Sequence, residues 1–244
     1  MARRDYRHSD GGRLPGATTV LGVLDKPALL SWAARVAADT AARAHADGQT
    51  LDAAIAAGIR APTTKRDKAA DLGTMAHDIV ERAHTKGEAV TELVTPETEP
   101  AIRCAERVLR HLAREFIVTH SEVAYVVDEV GPLRGYGGTL DLVVEYEGKR
   151  YLADLKTGKR AYAESVIPQL AAYLHLWQTH NPTLPIDGGL VLSAPVDIDP
   201  FHEGDGVTRH WIDLETLKAG FFVFSGALTV YRYKNELKFK EDEK

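Results

Sequence analysis

Gly138–Lys156, reading GTLDLVVEYEGKRYLADLK, is the stretch that decides how this chain folds. Two alternating apolar and polar runs flank Glu147-Gly148, a pair suited to a two-residue hairpin turn because glycine tolerates positive φ. Glutamate is a weaker first turn residue than asparagine or aspartate, so the turn type stays open. Setting Tyr146 opposite Lys149 fixes an antiparallel register. Glu145 then faces Arg150, Val143 faces Leu152, Asp141 faces Asp154, and Thr139 faces Lys156. On the other face Leu140, Leu142 and Val144 meet Leu155, Ala153 and Tyr151, an apolar set that reads as core.

The pair Asp141 and Asp154 breaks the pattern. Directly opposed carboxylates have β-carbons about 4.5–5.5 Å apart, and like charges so placed destabilise a sheet. A divalent cation held between them compensates, and hard oxygen ligands favour Mg²⁺ or Mn²⁺. Lys156 lies two residues beyond Asp154, on the same face. An ammonium there can orient or deprotonate a water, or stabilise charge developing on a phosphate. The trio suits metal-assisted phosphodiester hydrolysis. On the residues alone, two solvated strand-end aspartates, or a bulge that shifts the register, stand beside that reading.

Outward from the hairpin, periodicity predicts strands at Ser121–Val127, Gly188–Ser193 and Val207–Ile212. It predicts a helix over about Ala163–His180, with Val166, Leu170, Leu174 and Trp177 on one stripe, and a closing helix over Leu214–Tyr231. Upstream the pattern is helical. One helix is expected over Pro27–Ala46 and a second over Thr50–Ala57, ending before Gly58 and Pro62. A basic polar segment, 63–68, separates these from a helix through Met75, His77, Ile79 and Val80 that Gly87 closes. A further helix, Pro100–Glu115, carries Arg103, Arg107 and Arg110 on one face. Residues 1–16 read as a flexible lead-in, 17–235 as a single domain, and 236–244 as a charged tail. Helices first, then strands crossed by a helix, predict one α/β domain with a helical N-terminal portion.

Composition sets outer limits. Of 244 residues, 44% are apolar and 27% charged, an ordinary globular balance that excludes a disordered or fibrous chain. The net charge of −5 offers no global positive field for nucleic acid, so basic residues would have to be confined to a groove. Cys104 is the only cysteine, which excludes an intramolecular disulfide and an iron–sulfur cluster held by one chain. No secretory layout and no membrane-length apolar run are present, so a cytoplasmic protein is expected.

Four elements together resemble a known family. Gly73-Thr74-Met75-Ala76-His77, Gly138-Thr139-Leu140-Asp141, Asp154-Leu155-Lys156-Thr157-Gly158 and Gln169-x-x-x-Tyr173 resemble, in order and spacing, the motifs of RecB-like PD-(D/E)XK nucleases. Leu21–Ala37 also looks like phage exonucleases related to the CRISPR-associated four-cysteine nucleases. The resemblance implies a restriction-endonuclease-like mixed sheet flanked by helices, and a Mg²⁺- or Mn²⁺-dependent DNA exonuclease of phage-type recombination. It implies His77, Asp141, Asp154 and the Leu155 carbonyl as metal ligands and Lys156 as the catalytic lysine. Gln169 and Tyr173 would support the site and touch the strand, with Glu81 and Glu122 as further acids. DNA, a single-strand annealing protein, a homo-oligomer and a host-cytoplasmic location follow in the same way. Lacking the cysteines, this chain would be a cluster-free member. An endonuclease, a junction resolvase and a catalytically silent DNA-binding scaffold are the alternatives.

Other signals are weaker. His77, Glu81 and His84 do not form the His-Glu-x-x-His layout of zinc proteases. Thr157-Gly158-Lys159 lacks the first glycine and the Ser/Thr of a phosphate-binding loop. No Gly-x-Ser-x-Gly occurs. Lys65, Arg66, Lys68, Lys159 and Arg160 could neutralise DNA phosphates, although charge runs are more often solvated faces. Trp32, Trp177 and Trp211 read as core or half-buried.

Overall fold

Alternating apolar runs over Ile117–Val130 (β1), Leu133–Tyr146 (β2), Lys149–Lys156 (β3), Gly188–Ser193 (β4) and Thr208–Asp213 (β5) form one mixed sheet in that order. The computed structural model describes residues 5–88, 90, 92–158, 161–198 and 205–236. Neighbouring strands are antiparallel except β3 and β4, which are parallel. A parallel pair needs a long crossover, and helix α5 (Ala163–His180) supplies it.

Helices cover both faces of the sheet. On one side α1 (Ala17–Leu21), α5 and α6 (Leu214–Glu236) enclose a core with Val143, Leu152, Leu170, Trp177 and Phe224. On the other, α3 (Leu51–Lys86) and α4 (Glu99–Glu115) bury Ile79, Val108 and Leu112 against Leu142, Val144 and Leu155. The expected α/β architecture, with helices before the sheet, is the one observed. Trp177 is fully buried, whereas Trp32 and Trp211 keep more than a third of their surface exposed.

The N-terminal helices depart from expectation. Two helices broken at Gly58 and Pro62 were predicted; one 36-residue helix, α3, runs through both positions. Proline removes one backbone bond to residue 58 and crowds its carbonyl. Packing on α2 (Pro27–Ala46) overrides that penalty. A β-carbon at Gly58 would lie 2.7 Å from the Ala37 carbonyl oxygen, so the two helices meet at backbone distance there. β2 also begins five residues earlier than Gly138, because the glycines at 135, 137 and 138 hide its alternation.

The turn left open is resolved. Glu147 and Gly148 take φ of 50° and 74°, and positive values at both central residues are what a type I′ turn needs. Residues 5–16 pair locally through Arg7 and Arg13 and lie along β2 through Gly16 and Gly137. The Tyr6 hydroxyl hydrogen-bonds Thr139 Oγ1 at 2.8 Å, and Arg134 pairs with Asp10 at 2.6 Å. No described helix is long and apolar enough to cross a membrane.

Candidate active site

The hairpin register follows expectation from Tyr146↔Lys149 through Leu142↔Ala153, and there the ladder stops. The expected backbone pairings of Asp141 with Asp154 and of Thr139 with Lys156 are not made. Instead the Asp141 carboxylate accepts the Leu155 N–H at 3.0 Å. The physical reason lies in β2. Leu140 packs on the α5 side, but Leu142 and Val144 pack on the α3–α4 side. Strict alternation would put all three on one face, so the strand slips by half a period at Asp141.

Across from Asp141 on β1 stands Glu122, flanked by the pairs Ser121↔Leu142 and Val123↔Leu140. Glu122 has φ of 53°, a left-handed conformation that costs an L-residue with a β-carbon about 1–2 kcal/mol. Strain of this kind persists where the surroundings over-determine it, and it concentrates at functional sites.

Helix α3 brings the fourth component. A β-carbon at Gly73 would sit 2.6 Å from Thr157 Oγ1, so only glycine lets the helix approach the end of β3 this closely. One turn later, His77 Nδ1 lies 3.6 Å from Asp141 Oδ2. Ligand atoms of His77, Glu122 and Asp141 fall within 4.8 Å of one another. They open onto a cleft of about 820 Å³, walled by Tyr6, Arg13, Thr139, Tyr173 and Arg232. Glu81 is not gathered into this group or its cleft; Glu122 occupies that role among the described residues.

Asp154 sits behind this group with 1% of its surface exposed. Gln169 Nε2 donates to its Oδ1 at 2.9 Å and to the Tyr173 hydroxyl at 3.2 Å. Lys156 Nζ forms an ion pair with Oδ2 at 2.6 Å and donates to Gln169 Oε1 at 3.3 Å. Burial, opposed by Lys156 and helped by the Asp141 charge, leaves the Asp154 carboxyl pushed up to about 6. Burial favours a neutral Lys156, but the Asp154 and Asp141 charges outweigh it and hold the ammonium above its ordinary value. Burial likewise raises the Tyr173 phenol, helped by the same two aspartates.

A divalent cation fits this donor set. Ligand atoms of His77 and Glu122 cluster beside that of Asp141, with the buried Asp154 carboxylate, ion-paired with Lys156, behind them. The acidic and imidazole donors suit an oxygen-preferring ion such as Mg²⁺ or Mn²⁺. Of the expected basic residues, Lys65 lies on the exposed face of α3 and Arg66 pairs with Asp67 at 2.8 Å. Lys159 and Arg160 lie outside the described residues. Glu122, given by the resemblance only as a further acid, stands beside His77 and Asp141. Its strand position was visible, but not the slip that turns it toward His77.

Comparison with known proteins gives one family. A family model described as the PD-(D/E)XK nuclease superfamily matches residues 51–207, from the start of α3 to the edge of β5. No curated protein matches the chain. Among solved structures, a candidate exonuclease from Eubacterium rectale superposes with a TM-score of 0.49 at 12% identity, covering 70% of this chain and 69% of that one. The protein SSO0001 superposes with a TM-score of 0.34 at 16% identity, covering 68% of this chain and 75% of that one.

Proposed function

The chain belongs to the PD-(D/E)XK nuclease superfamily, and from that premise we propose that it is a divalent-metal-dependent DNA exonuclease. The observation that carries the reading is the His77, Glu122 and Asp141 group, whose ligand atoms lie within 4.8 Å of one another. Two carboxylates gathered at one point are costly unless a cation compensates them. The buried Asp154, ion-paired with Lys156 at 2.6 Å, stands behind them.

His77, Asp141, Asp154 and the Leu155 carbonyl are the proposed ligands, joined by Glu122. A bound Mg²⁺ or Mn²⁺ would supply Lewis acidity toward a phosphate oxygen and a bound water of lowered pKa. The protein's own groups do the positioning. Gln169 fixes one oxygen of Asp154 and Lys156 contacts the other. Lys156 keeps its proton beside the acids and can neutralise charge that develops on a phosphate in the cleft. Tyr173, raised by burial, stays a neutral hydroxyl donor at the cleft wall.

The walls support action at a strand end. The 5–16 segment, α1 and α6 bound the acid group from several sides through Tyr6, Thr18 and Arg232. A role in phage-type recombination, with an annealing partner and a homo-oligomer, extends the same reading on the strength of the sequence resemblance. The deciding experiment is digestion of end-labelled linear DNA and covalently closed circles with Mg²⁺, Mn²⁺ or EDTA. Metal-dependent loss of linear DNA with intact circles is expected. Cutting of circles would make the enzyme an endonuclease, and no cutting with either metal would leave a silent DNA-binding scaffold.

A further inference from the structure

A second cleft, of about 580 Å³, lies between α3 and α4 above residues 196–198. Lys65 and Lys68 reach it from α3, and Arg103, Arg107 and Arg110 from α4. That concentration of cations is notable in a chain whose net charge is −5. The carboxylates around it are partly engaged. Glu99 lies 3.5 Å from Arg103, and Asp205 is held by His111 at 2.8 Å and by Arg114 at 2.9 Å. Glu106 and Asp197 also line the cleft.

Among the described residues Lys65, Arg107 and Arg110 make no ion pair, and Lys68 attracts Glu97 without a close contact. Arg107 Nη2 donates to the Pro195 carbonyl, which anchors the guanidinium, while its buried Nε has no hydrogen-bond partner. Arg110 Nε bonds only the Glu106 carbonyl of its own helix, at 3.3 Å. Neither lysine makes an ion pair among the described residues. Guanidinium forks and ammonium groups together suit phosphate oxygens, the first by paired hydrogen bonds and the second by charge. Ala69 of α3 lines both this cleft and the acid-lined one.

We infer that the groove holds the sugar–phosphate backbone of the DNA strand whose end lies in the acid-lined cleft, a sequence-independent phosphate site across α3. The identity of the ligand rests on the nuclease reading above. The placement rests on the groove itself. Its role is grip: strands long enough to cross Ala69 bind more tightly than those that fill only the first cleft.

Binding in EDTA tests this without cleavage. Fluorescence anisotropy would compare labelled single strands of about 4 and about 20 nucleotides, a range spanning known single-strand site sizes. The wild type should bind the longer strand at least about tenfold more tightly, a 1.4 kcal/mol difference. Arg107→Glu with Arg110→Glu should erase most of that gain. So should Lys65→Glu with Lys68→Glu, which alters only exposed α3 positions and covers the case in which the arginine pair fails to fold. Each pair should flatten the slope of log K against log salt by about 1.4, the effect of two lost phosphate contacts on a single strand. Wild-type affinity and slope in the folded variants, or no gain with length in the wild type, would overturn the groove. Failed cleavage with an intact length effect would instead remove the nuclease reading and leave the phosphate site standing.

Discussion

Gln169 Nε2 donates to Asp154 Oδ1 at 2.9 Å, so a residue of the crossover helix fixes a carboxylate on the strand that the helix follows. The amide neutralises nothing; it orients the acid, whose Oδ2 meets the Lys156 ammonium. Gln169→Ala should therefore lower turnover by about 10–100-fold, the usual cost of removing a group that orients a metal ligand. Mn²⁺ affinity by calorimetry should weaken in parallel, with far-UV circular dichroism unchanged. Unaltered Mn²⁺ affinity would show that the amide does not position the acid.

A cation that binds the folded acids and not the unfolded chain must raise the melting temperature. At about a hundred times its Kd it contributes about 2.7 kcal/mol, or about 5–10 °C for a chain of this size. Mg²⁺ or Mn²⁺ should produce that shift in the wild type, and Asp141→Asn should remove it together with cleavage. A full shift in that variant would move the ion elsewhere.

Lys156→Ala separates holding a cation from using it. The variant should keep a metal-dependent rise in Tm, because His77, Glu122 and Asp141 are untouched. Turnover should fall by about 10²–10³-fold, as when one donor to developing charge is lost. Wild-type turnover would take Lys156 out of the mechanism.

Asp205 offers a test away from the site. Burial works to raise its carboxyl, but the His111 hydrogen bond, the Val207 N–H and the Arg114 charge outweigh that and hold it below its ordinary 3.8. A depressed folded value stabilises the native state above the unfolded value, and the benefit is lost as pH falls through the folded one. Asp205→Asn should thus melt about 1–4 °C lower than wild type at pH 7, a discounted figure for a screened group. The gap should close as pH drops below 3.8. A gap independent of pH would mean that the effect is packing.

The hairpin register was legible because side-chain period and turn chemistry agree over Leu142–Ala153. The same arithmetic failed one step further on. Pairing rules describe a continuous ladder, and nothing local in Asp141 or Asp154 announces that the β2–β3 ladder ends at Leu142↔Ala153. Gln169, Tyr173 and His77 were found through their places in motifs of the resembled family. Glu122 was marked as an acid on a strand, yet its left-handed backbone comes from neighbours distant in sequence. Pro62 misled for a related reason: propensity sees the missing N–H, while the compensating contact belongs to Ala37 on another helix.

The strained backbone of Glu122 sets stability and activity against each other at a single position. Asparagine and glycine adopt that conformation at lower cost, so a screen that rewards thermal tolerance alone will favour them there. Both discard the long carboxylate beside His77 and Asp141. Hardening this protein by directed evolution will therefore need a cleavage readout in every round, or residue 122 will be among the first places where the gains are false.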